Sequence, residues 1–199
     1  MKKLIETFKH IWSIEELRRR IVYTISLLVI YRLGSYVILP GIDSDALEGL
    51  NNQTKNNILG LINTFAGGAF GRGAIFALGI MPYISASIFM QLFSIALPAF
   101  QRMQKEGEEG RRKINQYTRI LTIIICALQA SGYLALYVSS KNALPVDAST
   151  FWWAQTIIVL VAGAMFAVWL GERITDNGIG NGISLLITVG ILSRLPGAF

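Results

Sequence analysis

Four of the charge-free stretches of this chain are residues 21–31, 74–101, 120–140 and 148–171. A hydrocarbon core about 30 Å thick is crossed by roughly 20 apolar residues in a helix. Three of the four are long enough as they stand, and the first becomes so with Arg32 at a membrane face. Core helices of water-soluble domains rarely run so far without a polar side. Composition agrees: 53% of the 199 residues are hydrophobic and 15% charged, against about a quarter charged in an ordinary globular domain. The chain therefore reads as an all-α polytopic membrane protein.

Five spans are expected, over residues 21–39, 74–97, 120–138, 151–170 and from 183 toward 199. The first is closed by Pro40-Gly41 and the second by Pro98. The fifth is short for a perpendicular span. Residues 1–20 mix basic, acidic and aromatic side chains and lack an uninterrupted apolar region of the signal-peptide kind. Leu4, Ile5, Phe8, Ile11 and Trp12 stand at helical spacing, which predicts an amphipathic helix on the cytoplasmic surface. Thirteen of the eighteen lysines and arginines lie before the first span, in residues 98–119, or in residues 171–182. Positive charge stays on the cytoplasmic side, so the N-terminus and these two loops are expected there. Trp152 and Trp153 then fall at the outer interface, where aromatic belts form.

Chemistry that breaks covalent bonds finds no footing. No aspartate or glutamate lies within an expected span, although intramembrane ionisable groups are what proton-coupled or hydrolytic work requires. His10 is the single histidine and sits in the N-terminal amphipathic segment; Cys126 is the single cysteine and lies mid-span. Neither can join a catalytic or metal-binding set of the usual spacing. The glycine-rich run at residues 67–73 lacks the lysine and serine or threonine of a phosphate loop. No enzyme, cofactor or metal is expected, which leaves a conduit or a scaffold.

Two places interrupt the apolar pattern. Residues 58–73 hold Gly60, Gly67, Gly68, Gly71 and Gly73 and are too short and broken to span. They read either as a half-inserted helix with a hinge or as a surface loop. The second interruption is Gly178-Ile179-Gly180-Asn181-Gly182, at the start of the fifth span. Paired breaks of this kind mark transport pathways in many folds. Ser85, Ser87 and Gln91 in the second span suit either hydrogen bonds to neighbouring helices or a surface facing water or substrate. Ile80 and Ile84 share a helix face, as do Ile183 and Ile187; on spacing alone such residues pack or face lipid.

Three motifs carry a specific resemblance. Residues 65–73 (FAGGAFGRG) leading into residues 75–88 (IFALGIMPYISASI) closely resemble the plug and second helix of the bacterial SecY family. Residues 105–114 (KEGEEGRRKI) with residues 116–119 (QYTR) resemble its first large cytoplasmic loop. Residues 171–175 (GERIT) and 178–184 (GIGNGIS) resemble its fourth-to-fifth helix junction. The motifs stand in family order along nearly the whole chain.

The resemblance implies five transmembrane helices with a short re-entrant plug helix over residues 58–73, one half of an inverted-repeat channel for unfolded polypeptides. By position, Ile80, Ile84, Ile183 and Ile187 would belong to an apolar pore ring, which can seal by dewetting. Phe65, Ala66, Gly67, Gly68, Ala69, Phe70, Gly71 and Arg72 would form the plug. Ser85, Ser87 and Gln91 would lie on a lateral gate that releases hydrophobic segments into the bilayer. Implied partners are the C-terminal half of SecY, SecE and SecG, SecA or the ribosome, signal peptides and nascent chains, and anionic lipid, with no DNA. The implied location is the bacterial cytoplasmic (inner) membrane. The family has ten helices, so this sequence is expected to be one piece of a subunit whose other half is supplied separately. A secondary transporter fragment shares broken helices, but it calls for an ion-coupling group not seen in these spans; a membrane enzyme is a third and weaker reading.

Overall fold

A backbone withdrawn from water must pair its own N–H and C=O groups, so charge-free runs of this length become helices. A computed structural model of the chain describes residues 13–43, 47, 58–139 and 149–193. These residues are helical apart from turns and one isolated bridge, Ile38 to Ala74. The expected amphipathic helix at residues 1–20 lies mostly outside the described residues, as does the end of the fifth expected span.

Helix α1, Glu15–Gly34, begins within the basic segment and buries only the narrow stripe Thr24, Leu27 and Tyr31. Its other sides expose Val22, Ile25, Val29 and Leu33, as a helix bathed in hydrocarbon does. The expected span ran to residue 39. The helix ends earlier, because residues 35–39 turn to meet the segment after the glycine-rich run. There Leu39 N–H donates to Gly73 O at 2.9 Å and Ile75 N–H to Val37 O at 2.8 Å.

Two short helices follow, α2 (Ile58–Phe65) and α3 (Ala69–Arg72). The second span was expected to be helical from residue 74, but helix α4 is Met81–Ala96. Residues 74–80 instead form consecutive turns, with Gly73 at φ 65° and Gly79 at φ 53°, a conformation open to glycine. This irregular backbone is tolerated because it is buried in protein: Ala74, Phe76, Ala77, Leu78 and Ile80 are all shielded. Pro82 in the first turn then starts α4.

At Pro98 the chain bends by 97° into α5, Pro98–Lys105. Proline disfavours helical backbone at the residue before it, and Leu97 is extended. Residues 98–119 were expected as a loop. They are largely helical: α5 and the first turns of α6, Glu108–Gly132, where Lys113 pairs with Glu109 and Glu106 at 3.4 and 3.7 Å. A polar helix needs no apolar face when side-chain pairs and a neighbour support it. α6 continues through a π-helical segment, Tyr133–Val138.

Helix α7, Thr150–Asn177, is capped by Ser149, whose hydroxyl accepts from Trp152 N–H at 3.3 Å. It extends well past the expected cytoplasmic end at residue 170. Helix α8, Gly182–Leu192, is capped by Asn181. Between them Thr175 Oγ1 accepts from Gly182 N–H and Thr24 Oγ1 from Ile179 N–H, so the break is satisfied by side chains rather than water. The α7–α8 contact is close: a Cβ on Gly182 would collide with the Gly171 carbonyl oxygen.

α7 is the hub, touching α1, α6 and α8. Its buried stripe includes the small residues Gly163, Ala164, Ala167 and Gly171 among Leu160, Leu170 and Ile174, and small residues let membrane helices approach. By length and composition α6 with its π-helical continuation and α7 can cross a membrane, and the bent α4–α5 pair is a third if taken as one span. α1 carries Arg18, Arg19, Arg20 and Arg32, and α8 has 11 residues, so neither meets the same measure among the described residues.

Candidate functional site

The glycine-rich segment folds back on itself. α2 leads to Gly67 (φ 61°) and Gly68 (φ 88°), both left-handed, and α3 returns the chain toward α4. Asn63 holds this bend: its carbonyl accepts from Gly68 N–H at 2.8 Å and its Oδ1 from Gly71 N–H at 2.9 Å. The side chain is 2% exposed, so its amide replaces water that cannot reach the turn. Gly67 also lies against α8, where a Cβ would sit 3.1 Å from Gly190 Cα. Any larger residue would push the segment off the helix.

Two side chains from surrounding helices grip this bend by its backbone. Arg32 of α1 donates from Nη1 to Gly67 O at 2.9 Å and from Nη2 to the Tyr36 hydroxyl at 2.9 Å. Arg72 donates to the same Gly67 oxygen at 3.3 Å. Both guanidiniums stand over the Tyr36 ring, 4.8 and 4.3 Å from its centroid, which softens the proximity of two positive charges. On the other side the Tyr133 hydroxyl donates to Phe70 O at 2.8 Å. The Phe70 ring lies 4.8 Å from the rings of both Tyr133 and Tyr137.

The isoleucines meet this segment. Ile80, Ile84 and Ile187 line one crevice with Tyr31, Met81, Phe65 and Ala66. Its volume is about 10 Å³, at the lower edge of what one water molecule needs. An apolar space of that size stays dry. Ile183, one turn before Ile187, is half-buried and faces the Gly171 position on α7; it does not line the crevice. Of the expected plug residues, Ala66 to Gly71 are buried, Arg72 is half-buried and Phe65 is exposed.

The polar residues of α4 divide. Ser87 and Gln91 line a wider cavity of about 490 Å³ between α4, α5 and α6, together with Tyr83, Ser94, Gln104, Arg111 and Asn115. Ser85 lies on another face of α4 and lines neither space. Ile84, Ser87 and Gln91 are three and four residues apart, so they form one stripe from the dry crevice to the polar cavity.

Arg32, Tyr36, Asn63, Tyr133 and Tyr137 do not stand out when the sequence is read alone. Two of them left a signal. Arg32 is a charge at the edge of a span and Asn63 a polar residue in an apolar run, and such groups are expensive at membrane depth. The tyrosines left none.

A family model described as SecY matches residues 74–199. A "Protein translocase subunit SecY" from Buchnera aphidicola subsp. Schizaphis graminum is 44% identical over 201 residues, covering 100% of this chain and 46% of the relative. Its namesake from Rickettsia typhi is 46% identical over 189 residues, covering 94% and 44%. The chain thus spans about half the length of the curated relatives it matches. A solved structure described as "The structure of a protein conducting channel" superposes with a TM-score of 0.63 at 21% identity, over 89% of this chain and 36% of the other. At that identity the likeness is one of fold. With its long apolar helices and a family match over more than half its length, this multi-pass membrane protein belongs to the SecY family.

Proposed function

We propose that this chain forms one half of the wall of a protein-conducting channel, through which unfolded polypeptides cross the membrane and hydrophobic segments leave sideways into lipid. In this reading Ile80, Ile84, Ile183 and Ile187 contribute to an apolar constriction. Phe65 to Arg72 are the plug beneath it. Ser85, Ser87 and Gln91 lie on the lateral gate, where a signal helix exchanges polar and apolar partners.

One observation carries the reading: Ile80 and Ile84, at the start of α4, and Ile187 of α8 close on Phe65 and Ala66 around a mainly apolar space that holds about one water molecule at most. Lipid-facing isoleucines have no reason to converge on a re-entrant bend. A constriction that excludes water raises the barrier to ions while yielding to a passing chain. The stripe from Ile84 through Ser87 to Gln91 gives a segment leaving the pore a graded surface.

The reading carries further proposals. The five spans alternate so that the N-terminus, residues 98–119 and residues 171–182 are cytoplasmic, in the bacterial inner membrane. The basic segments face anionic lipid and SecA or the ribosome, and the other wall comes from the C-terminal half of SecY, with SecE and SecG around it. Two walls are needed for a pore, so activity belongs to the completed complex.

Site-directed crosslinking tests the conduit. A photoreactive residue replaces Ile84 in membranes that also supply the second half, and a signal-bearing chain is stalled midway through export. The expected result is a crosslink that appears only with the stalled chain. Labelling by lipid alone would reject the constriction and favour a solute transporter, for which ion-coupled uptake would then be measured.

A further inference from the structure

The plug has little with which to hold itself in place. Ala66, Gly67, Gly68, Ala69 and Gly71 offer almost no side-chain surface, and hydrophobic stabilisation follows the apolar area buried. Beyond the packing of the Phe70 ring, what fixes it acts on its backbone. The geometry points to Arg32 and Tyr133 as plug-positioning residues, one on each wall of the half-channel, that keep the channel closed by holding the Gly67 and Phe70 carbonyls. This rests on the plug reading proposed above.

Several observations converge. The two donors come from different helices, α1 and the π-helical end of α6, and meet one carbonyl just before α3 and one within it, at 2.9 and 2.8 Å. Neither has an acidic partner among the described residues. Arg32 is preset for the role: its second amino group is tied to the Tyr36 hydroxyl and its plane lies over that ring, so little side-chain freedom is lost when it takes the carbonyl. Tyr133 lies in a π-helical segment, a form rare in helices and enriched at functional positions. Its ring also packs on the Phe70 side chain, so hydroxyl and ring act on one plug residue.

The hold is releasable. Arg72 travels with the plug and shares Gly67 O with Arg32, so two guanidiniums are held close together while closed. Departure of the plug separates them. Water in the outer funnel can then solvate both Gly67 O and Phe70 O, so each donor contributes a modest bias rather than a lock.

The test uses the full-length channel with its partner subunits, reconstituted into liposomes without substrate. Arg32→Ala and Tyr133→Phe are each expected to raise ion leak about tenfold over the parent, equivalent to about 1.4 kcal/mol of plug bias. Arg32→Lys, which keeps a cationic donor, is expected to restore most of the seal. A disulfide between Ala66→Cys and Ile187→Cys, two positions on one crevice, is expected to bring the leak of both variants down to that of the same disulfide in the parent. A general loosening of the fold would not respond to that single lock. Tyr133→Phe keeps the ring and removes one hydroxyl, so it decides the matter if Arg32→Ala fails to accumulate. Parental leak in Tyr133→Phe and in any assembled Arg32→Ala channel, with the Ile84 crosslink intact, would overturn the inference and leave the channel reading standing. Loss of that crosslink in the parent would sink the channel reading first.

Discussion

Asn63 shows how one side chain decides whether a stretch of apolar sequence can turn round at membrane depth. The bend at Gly67 and Gly68 interrupts the helix and frees backbone donors where no water reaches. Asn63 satisfies two of them, one with its carbonyl and one with its amide oxygen. Replacing it with leucine keeps the volume and orphans Gly71 N–H. An unsatisfied buried donor costs about 1–3 kcal/mol, so Asn63→Leu is expected to lower the unfolding temperature of the purified complex in detergent. An unchanged melt would mean the turn has another acceptor in reach. Isoleucine spacing shows less at this scale: Ile183 and Ile187 share a helix face, yet only Ile187 lines the crevice while Ile183 also lies against the Gly171 position on α7.

Among the elements, α6 and α7 are joined by a bidentate pair, Arg119 to Glu172 at 3.0 and 2.8 Å. Fork-shaped geometry makes this stronger than an ordinary surface ion pair, though partial exposure keeps it near 0.5–1 kcal/mol, by about the upper end of measured exposed pairs. A double-mutant cycle with Arg119→Gln and Glu172→Gln is expected to give coupling of about that size, falling as salt is raised; coupling near zero at low salt would show that helix contact alone sets the spacing. Much of this level was legible beforehand. Charge-free runs marked α4, α6 and α7, Pro98 marked the bend, and the glycines at 178–182 marked the gap before α8. The start of α4 was not legible, because an apolar run reads alike whether it is helical or a buried series of turns. Nor was the helical form of residues 98–119, since a solvated helix leaves no apolar stripe. The plug reading came from the family resemblance rather than from periodicity. Its anchors came from neither, because a hydrogen bond to a backbone carbonyl 35 residues away leaves no pattern in side-chain order.

For the whole molecule, the proposed alternation of the helices across the bilayer can be tested at their ends as sets. Trp152 Nε1 donates to Pro40 O at 3.2 Å, which brings the end of α1 and the start of α7 to one face. With cysteines introduced singly at Arg20, Lys113 and Ser149, an impermeant thiol reagent added outside intact cells is expected to label Ser149→Cys alone. Labelling of Lys113→Cys from outside would invert the assigned orientation. The backbone anchorage of the plug has a last consequence at this scale. A stopper held largely by its main chain depends on more than its own lettering. Selection on closure would then fall on Arg32 and Tyr133 in α1 and α6 as well as on the segment itself, where the left-handed glycines and the packed Phe70 ring limit change.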